Sequence, residues 1–378
     1  MGQAKFHHQP RRPGQRRPIQ HFSLILLVTP LVLLSAATAF VLFLSSDPNV
    51  NSLFTRCFSD RDRDQDSPAV AQVPVGGPPT CCLVSFFHAA LDSRRSFAIM
   101  NEILSFVGAL LTITTIESAR TCHKSTWMIR NPTASWLLFN LAGGAVVWQL
   151  AIVPAFFHYG RDKAPPSTAS SGITPDSKPQ KSEILLPAER ERGRHLSSAE
   201  LHAIPLSVAL GYLCPCIPFL LYPSSTSILI WLFFPAYVSV VRQLVRCAVP
   251  SPVPAARRVR QIHPEAHTPA LVGLYALPLL WSVMAHFGLL YHLLFVADDR
   301  SVTTKAALAF IQADFGAIGL TVLYWIAIEA GWQTAVRCVV VGGMLGPGAG
   351  LCVAWVARER ELLECLPAEV AGRTIKDS

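Results

Sequence analysis

Residues 304–330 read TKAALAFIQADFGAIGLTVLYWIAIEA. Only Lys305, Asp314 and Glu329 are charged in this run, which exceeds the roughly 20 apolar residues a helix needs to cross about 30 Å of hydrocarbon. Similar runs occur at 22–45, 97–117, 134–157, 202–222, 227–245, 269–296 and 334–356. The expected fold is therefore all-α, a polytopic membrane helix bundle of about eight transmembrane helices, with seven possible. Around it the chain divides into a basic tail (1–21), a first anchor helix (22–45) and a polar loop with a short interfacial segment at 81–91 (46–96). The bundle follows (97–357), carrying a flexible Pro/Ser/Thr-rich loop (160–199), and then a polar tail (358–378).

Composition agrees. The chain is 51% hydrophobic and 15% charged, with a mean hydropathy of +0.38, more apolar surface than one soluble core buries. The net charge of +8 comes from Lys and Arg outside the apolar runs, without the basic–aromatic interleaving of a nucleic-acid groove. The expected partners are the lipid bilayer and a lipophilic small molecule, not nucleic acid. The basic flank Lys5, Arg11, Arg12, Arg16 and Arg17 argues for a cytosolic N-terminus and a retained anchor. Eight crossings nevertheless put 14 Lys and Arg on that side and 18 on the other, which the positive-inside rule does not separate. Endoplasmic reticulum is the expected location. Cys214, Cys216, Cys338 and Cys352 lie in apolar runs, whereas Cys57, Cys81 and Cys82 share one loop, where a disulfide can form if it faces an oxidising compartment.

Acidic groups inside spans are costly and so are candidates for function. Asp314 stands near the middle of its run with no basic neighbour one turn away. The alternative is a group that holds helices together. Glu102 and Glu117 are 15 residues apart, close to a whole number of turns, and so share a face; Glu117 also has Arg120 at ion-pair spacing. Glu329 stands in the same relation to Asp314. Asn140, Gln149, His286, His292 and Gln312 are candidates to line a polar cavity, and Trp148, Trp281 and Trp325 to turn π faces to a cation. Pro205, Pro215, Pro218, Pro235 and Pro278 predict kinks of the kind that border cavities. There is no phosphate-binding Gly loop, nucleophile elbow, His-Glu-x-x-His or Asp-rich diphosphate motif, and His286 and His292 fall on different helix faces. No metal and no cofactor is expected, and the chemistry these parts suit is proton transfer from a buried carboxylic acid.

Three local patterns carry a resemblance: Phe310-Ile311-Gln312-Ala313-Asp314-Phe315 followed by Tyr324-Trp325, Leu210-Gly211-Tyr212-Leu213-Cys214-Pro215, and Arg130-Asn131-Pro132. Together with the order and length of the runs from 97 to 356, they resemble multi-pass proteins of fungal meroterpenoid gene clusters, the membrane-bound terpene cyclases of the ascofuranone type. The loop Pro165–Arg194 looks like an insertion relative to them. That resemblance implies acid-initiated cyclisation of an epoxidised prenyl chain on an aromatic or polyketide head. Asp314 would donate the proton, with Glu117 or Glu102 assisting or acting as base, and Trp148, Asn140, Trp281, His286, Gln312 and Trp325 would contact substrate. The competing reading is a multi-pass transporter or accessory membrane protein in which Asp314 and Glu329 relay protons.

Overall fold

The computed structural model describes residues 22–44, 57, 77–120, 127–162, 196–249, 261–262 and 268–364. The basic tail, most of the 160–199 loop and most of the C-terminal tail lie outside the described residues. In chain order the helices are α1 (Leu24–Ala39), α2 (Gly77–Ala90), α3 (Arg94–Ala119), α4 (Trp127–Arg130), α5 (Pro132–Ala142), α6 (Gly144–Val147) and α7 (Val153–Asp162). They continue as α8 (Ser198–Val208), α9 (Cys214–Leu221), α10 (Ser225–Leu232), α11 (Phe234–Ala248), α12 (Thr268–Phe295), α13 (Val302–Ala330), α14 (Trp332–Leu345) and α15 (Pro347–Glu364). One antiparallel pair, β1 (Leu196–Ser197) with β2 (Gln261–Ile262), is the sole β-structure among the described residues.

The all-α membrane bundle is as expected, but the number of crossings differs. Five stretches are long and apolar enough to span: Leu24–Leu42, Arg94–Ala119, Ser198–Leu221, Pro269–Phe295 and Val302–Ala330. The pair α10–α11, bent by 56°, makes a sixth if counted as one span. The two remaining runs fold back on themselves, each at a glycine with a left-handed φ. Run 134–157 breaks at Gly143 (φ 106°) into α5 and α6–α7, and run 334–356 breaks at Gly346 (φ 99°) into α14 and α15. A non-glycine residue rarely adopts such angles, so each glycine terminates one helix and reverses the chain.

Both hairpins enter and leave at the same end of the bundle, identified by buried ion pairs. There Arg358 meets Glu329, Glu117 (3.0 Å) and Glu359 (2.9 Å), and Arg120 meets Glu359 (2.8 Å). Nearby, Arg242 bonds Glu200 (2.8 Å) and Ser118 (2.8 Å). These contacts join the ends of α3, α11, α13 and α15 to the start of α8. The α5 arm is tied near this end by Trp136 Nε1–H donating to Thr114 Oγ1 (3.0 Å), and α7 by Phe157 against Tyr324 (5.9 Å). At the opposite end Asp299 accepts the backbone N–H groups of Arg94 (2.8 Å) and Arg95 (3.3 Å), and Arg95 reaches the carbonyl of Val296 (2.5 Å). A disulfide joins Cys57 to Cys81 on α2 at this second end, and the neighbouring Cys82 is buried outside that bond.

α3 is the axis of the bundle: 89% of its apolar stretch is buried, against 22% for the first span. Lipid is as apolar as Leu, so this burial comes from close packing and internal hydrogen bonds and not from expulsion of water. Tyr212 O–H donates to Leu104 O (2.8 Å), and at Gly211 a Cβ would lie 2.5 Å from the backbone of Val238, so only glycine lets these helices approach. Two π-helical turns, Trp148–Ile152 and Ala209–Leu213, lie just before Pro154 and Pro215. A proline ring clashes with the carbonyl four residues back, and widening that turn relieves the clash.

Candidate functional site

A cavity of about 320 Å³ lies between α2, the first half of α3, the tip of the first hairpin, α10 and the first half of α13. Its wall is almost wholly apolar and rich in aromatics: Phe86, Phe87, Phe139, Trp231, Phe310 and Phe315. Among the described residues Asp314 is its one carboxylate, and Asn140 is the other strongly polar side chain at its wall. Helical geometry explains the α13 face, since Phe310, Asp314 and Ile318 recur every four residues and point the same way.

The hairpin tip positions Asp314. With φ at Gly143 starting a new helix, the first amides of α6 have no intrahelical partner, and Ala145 N–H donates to Asp314 Oδ1 at 2.9 Å. Oδ2 lies over Gly144, where a Cβ would come within 2.8 Å of it. When the acid is protonated, one carboxyl oxygen can keep accepting an amide N–H while the other carries the proton. Asn140 is positioned by the α10–α11 bend. Pro235 has no N–H and Ala236 N–H turns to Phe233 O (3.0 Å), so Leu232 O is free to accept from Asn140 Nδ2 (2.6 Å).

The other nominated residues lie elsewhere. Glu117 sits at the charged end, within reach of Arg358 (3.0 Å) and Arg120 (3.4 Å), with Trp355 Nε1–H donating to it at 3.4 Å. Glu329 joins the same cluster through Arg358. Removing one partner from such a buried pair generally costs about 3–5 kcal/mol, which suits a role in fixing the second hairpin. Glu102 faces away from the cavity, towards α12: its Oε1 lies 2.9 Å from His286 Nδ1, and Asn101 Oδ1 beside it accepts from Trp281 Nε1 (3.0 Å). This group lies under the tip of the second hairpin, where Ser282 Oγ accepts Ala349 N–H (3.0 Å).

Trp148 and Trp325 are fully buried in an aromatic stack with Trp136, Phe156 and Trp355, on the charged side of the cavity. Gln149 Nε2–H donates to Thr38 on α1 (3.2 Å), and Gln312 is exposed on the outer side of α13. None of the cavity aromatics was nominated as a substrate-contacting residue from sequence, although Phe310 and Phe315 belong to the pattern that carries the resemblance. Phe86 and Phe87 fall in the short 81–91 patch, and Phe139, Phe310 and Phe315 are indistinguishable by residue type from lipid-facing phenylalanines. Among the described residues no three His, Cys, Asp or Glu converge as a metal site requires.

Fold and cavity together define a polytopic helical membrane protein with one carboxylate in an apolar, aromatic chamber. The chain belongs to the CtvD-domain family, whose model matches residues 81–297, more than half of its length. The matched region holds α2 from Cys81 onward, α3, both arms of the first hairpin and Asn140; it ends before α13, so Asp314 lies beyond it. No curated protein and no solved structure matches the chain.

Proposed function

We propose that this protein is a membrane-bound terpene cyclase of secondary metabolism, located in the endoplasmic reticulum, that closes a ring on an epoxidised prenyl chain attached to an aromatic or polyketide head. The supporting observation is Asp314 as the one carboxylate in a chamber walled by six aromatic side chains. The protonated carboxyl of Asp314 gives its proton to the epoxide oxygen. The C–O bond to the more substituted carbon breaks, and its electron pair stays on oxygen as a new hydroxyl. An alkene π pair or a head-group hydroxyl attacks the resulting cation and closes the ring. The final cation loses a proton to the Asp314 carboxylate, which restores the acid. Substrate and product have the same formula, so no co-reactant is needed.

Faces of Phe86, Phe87, Phe139, Phe310, Phe315 and Trp231 suit the intermediate cation, an attraction of about 2 kcal/mol when desolvated. Glu102 and Glu117 are absent from the cavity wall, and proton return is therefore assigned to Asp314 alone. Microsomes containing the protein are expected to convert an epoxyprenyl phenol to a cyclic isomer. Asp314→Asn is expected to abolish conversion at unchanged expression and thermal midpoint; undiminished turnover in that variant would overturn the assignment.

A further inference from the structure

The cavity is not centred in the bundle. Its wall comes from α2, the disulfide-bearing helix, from Met100, Ile103 and Leu104 in the first half of α3, and from Phe310 and Asp314 in the first half of α13. These lie in the half of the bundle away from the ion-pair cluster, with Asp314 and Leu104 near mid-depth. The hairpin tip that carries Asp314's partner reaches this depth from the charged end and stops there.

The two ends differ sharply in charge once the crossings are known. With both hairpins returning to the charged end and α10–α11 crossing once, the sequence segments joining helix ends there hold 25 of the 32 Lys and Arg; the other end holds 7. The positive-inside rule, which was silent on eight crossings, then puts the charged end in the cytosol. The disulfide supports the same orientation independently, because structural disulfides persist in oxidising compartments.

The wall of the cavity is also thin on one side. Leu141 lines the cavity yet is 57% exposed. Beside it a Cβ built on Gly143 would meet nothing within 4 Å. Leu83 on α2, Val146 on α6 and Ile311 on α13, all cavity-lining, are half-buried. Among the described residues these edge side chains are all apolar, so an opening between them would offer a water-soluble ligand no polar group.

We infer that the Asp314 chamber is loaded sideways from the non-cytosolic leaflet, through a mouth between the hairpin tip, α2 and α13, by an isoprenoid chain dissolved in that leaflet. This deepens the cyclase reading and rests on it for the identity of the occupant. A consequence for the reaction sequence is that the epoxide must be installed on, or must cross to, the non-cytosolic leaflet before this protein acts.

Two measurements that need no turnover test it. In sealed microsomes a membrane-impermeant maleimide, located by peptide mapping, should label the exposed Cys247 on α11 directly and label Asp92→Cys, in the turn before α3, only after detergent is added. The reverse pattern would overturn the leaflet assignment. In the same membranes a photoreactive farnesol should label the cavity segments around Phe86 and Asp314. Leu141→Trp should cut that labelling about tenfold, whereas Leu138→Trp, on the same helix and 50% exposed but away from the cavity, should leave it unchanged. Equal labelling in both variants would overturn the mouth and leave the cyclase reading standing. Failure of the wild-type cavity to take label would overturn both.

Discussion

At the scale of single residues, Asp314 was legible because a carboxylate in the middle of a 27-residue apolar run has few reasons to be there other than contact with a cavity or another helix. It has both: it lines the chamber and accepts the N–H of Ala145. The same logic applied to Glu117 and Glu329 led instead to an ion-pair cluster: the Glu117–Arg120 pair was legible from its spacing, whereas Arg358, which joins both carboxylates, is distant in the chain and was not. Gly144 shows how little space surrounds the acid. A Cβ there would meet Phe139 at 2.7 Å, Asp314 Oδ2 at 2.8 Å and Ile318 at 3.0 Å. Gly144→Ala is therefore expected to displace the carboxyl and lower kcat at least tenfold, with a wild-type expression level; kinetics in microsomes normalised to protein amount would check it.

At the scale of elements, runs of apolar residues located the helices well and counted the crossings poorly. A run of about 23 apolar residues satisfies the length criterion whether it crosses or folds back, and the difference rests on one glycine at positive φ in each hairpin. The loop between α12 and α13 yields a pH prediction. Hydrogen bonds from Arg300 hold the Asp298 carboxyl well below the usual range; at Asp299 burial opposes the charge, but the N–H groups of Arg94 and Arg95 lower its pKa nonetheless. Groups with a depressed folded pKa stabilise the fold above their unfolded value, and the gain is lost as pH falls through the folded one. The thermal midpoint in detergent should thus drop on acidification below about pH 4. Asp298→Asn/Asp299→Asn should have a lower midpoint at neutral pH and a shallower fall in acid.

At the scale of the whole molecule, the disulfide and the charge asymmetry describe one orientation from two kinds of chemistry. Cys57 and Cys81 should resist alkylation until reduced, whereas Cys82 should alkylate on unfolding without reduction, as peptide masses would show. Cys57→Ser should also lower stability by up to about 3.5 kcal/mol, the loop-closure effect expected for a crosslink over 24 residues, read from thermal unfolding. The sequence by itself determined that the chain is a helical membrane protein, where its helices run and that Asp314 is out of place in lipid, because hydropathy and charge are local properties. Only the tertiary structure decided that two runs turn back inside the bundle, that Phe86 and Phe310 share a chamber with Asp314, and that Arg358 draws Glu117 and Glu329 into one ion-pair cluster. Each of these depends on contacts between residues far apart in the chain, and a backbone reversal at one glycine changes which side of the membrane every later contact falls on.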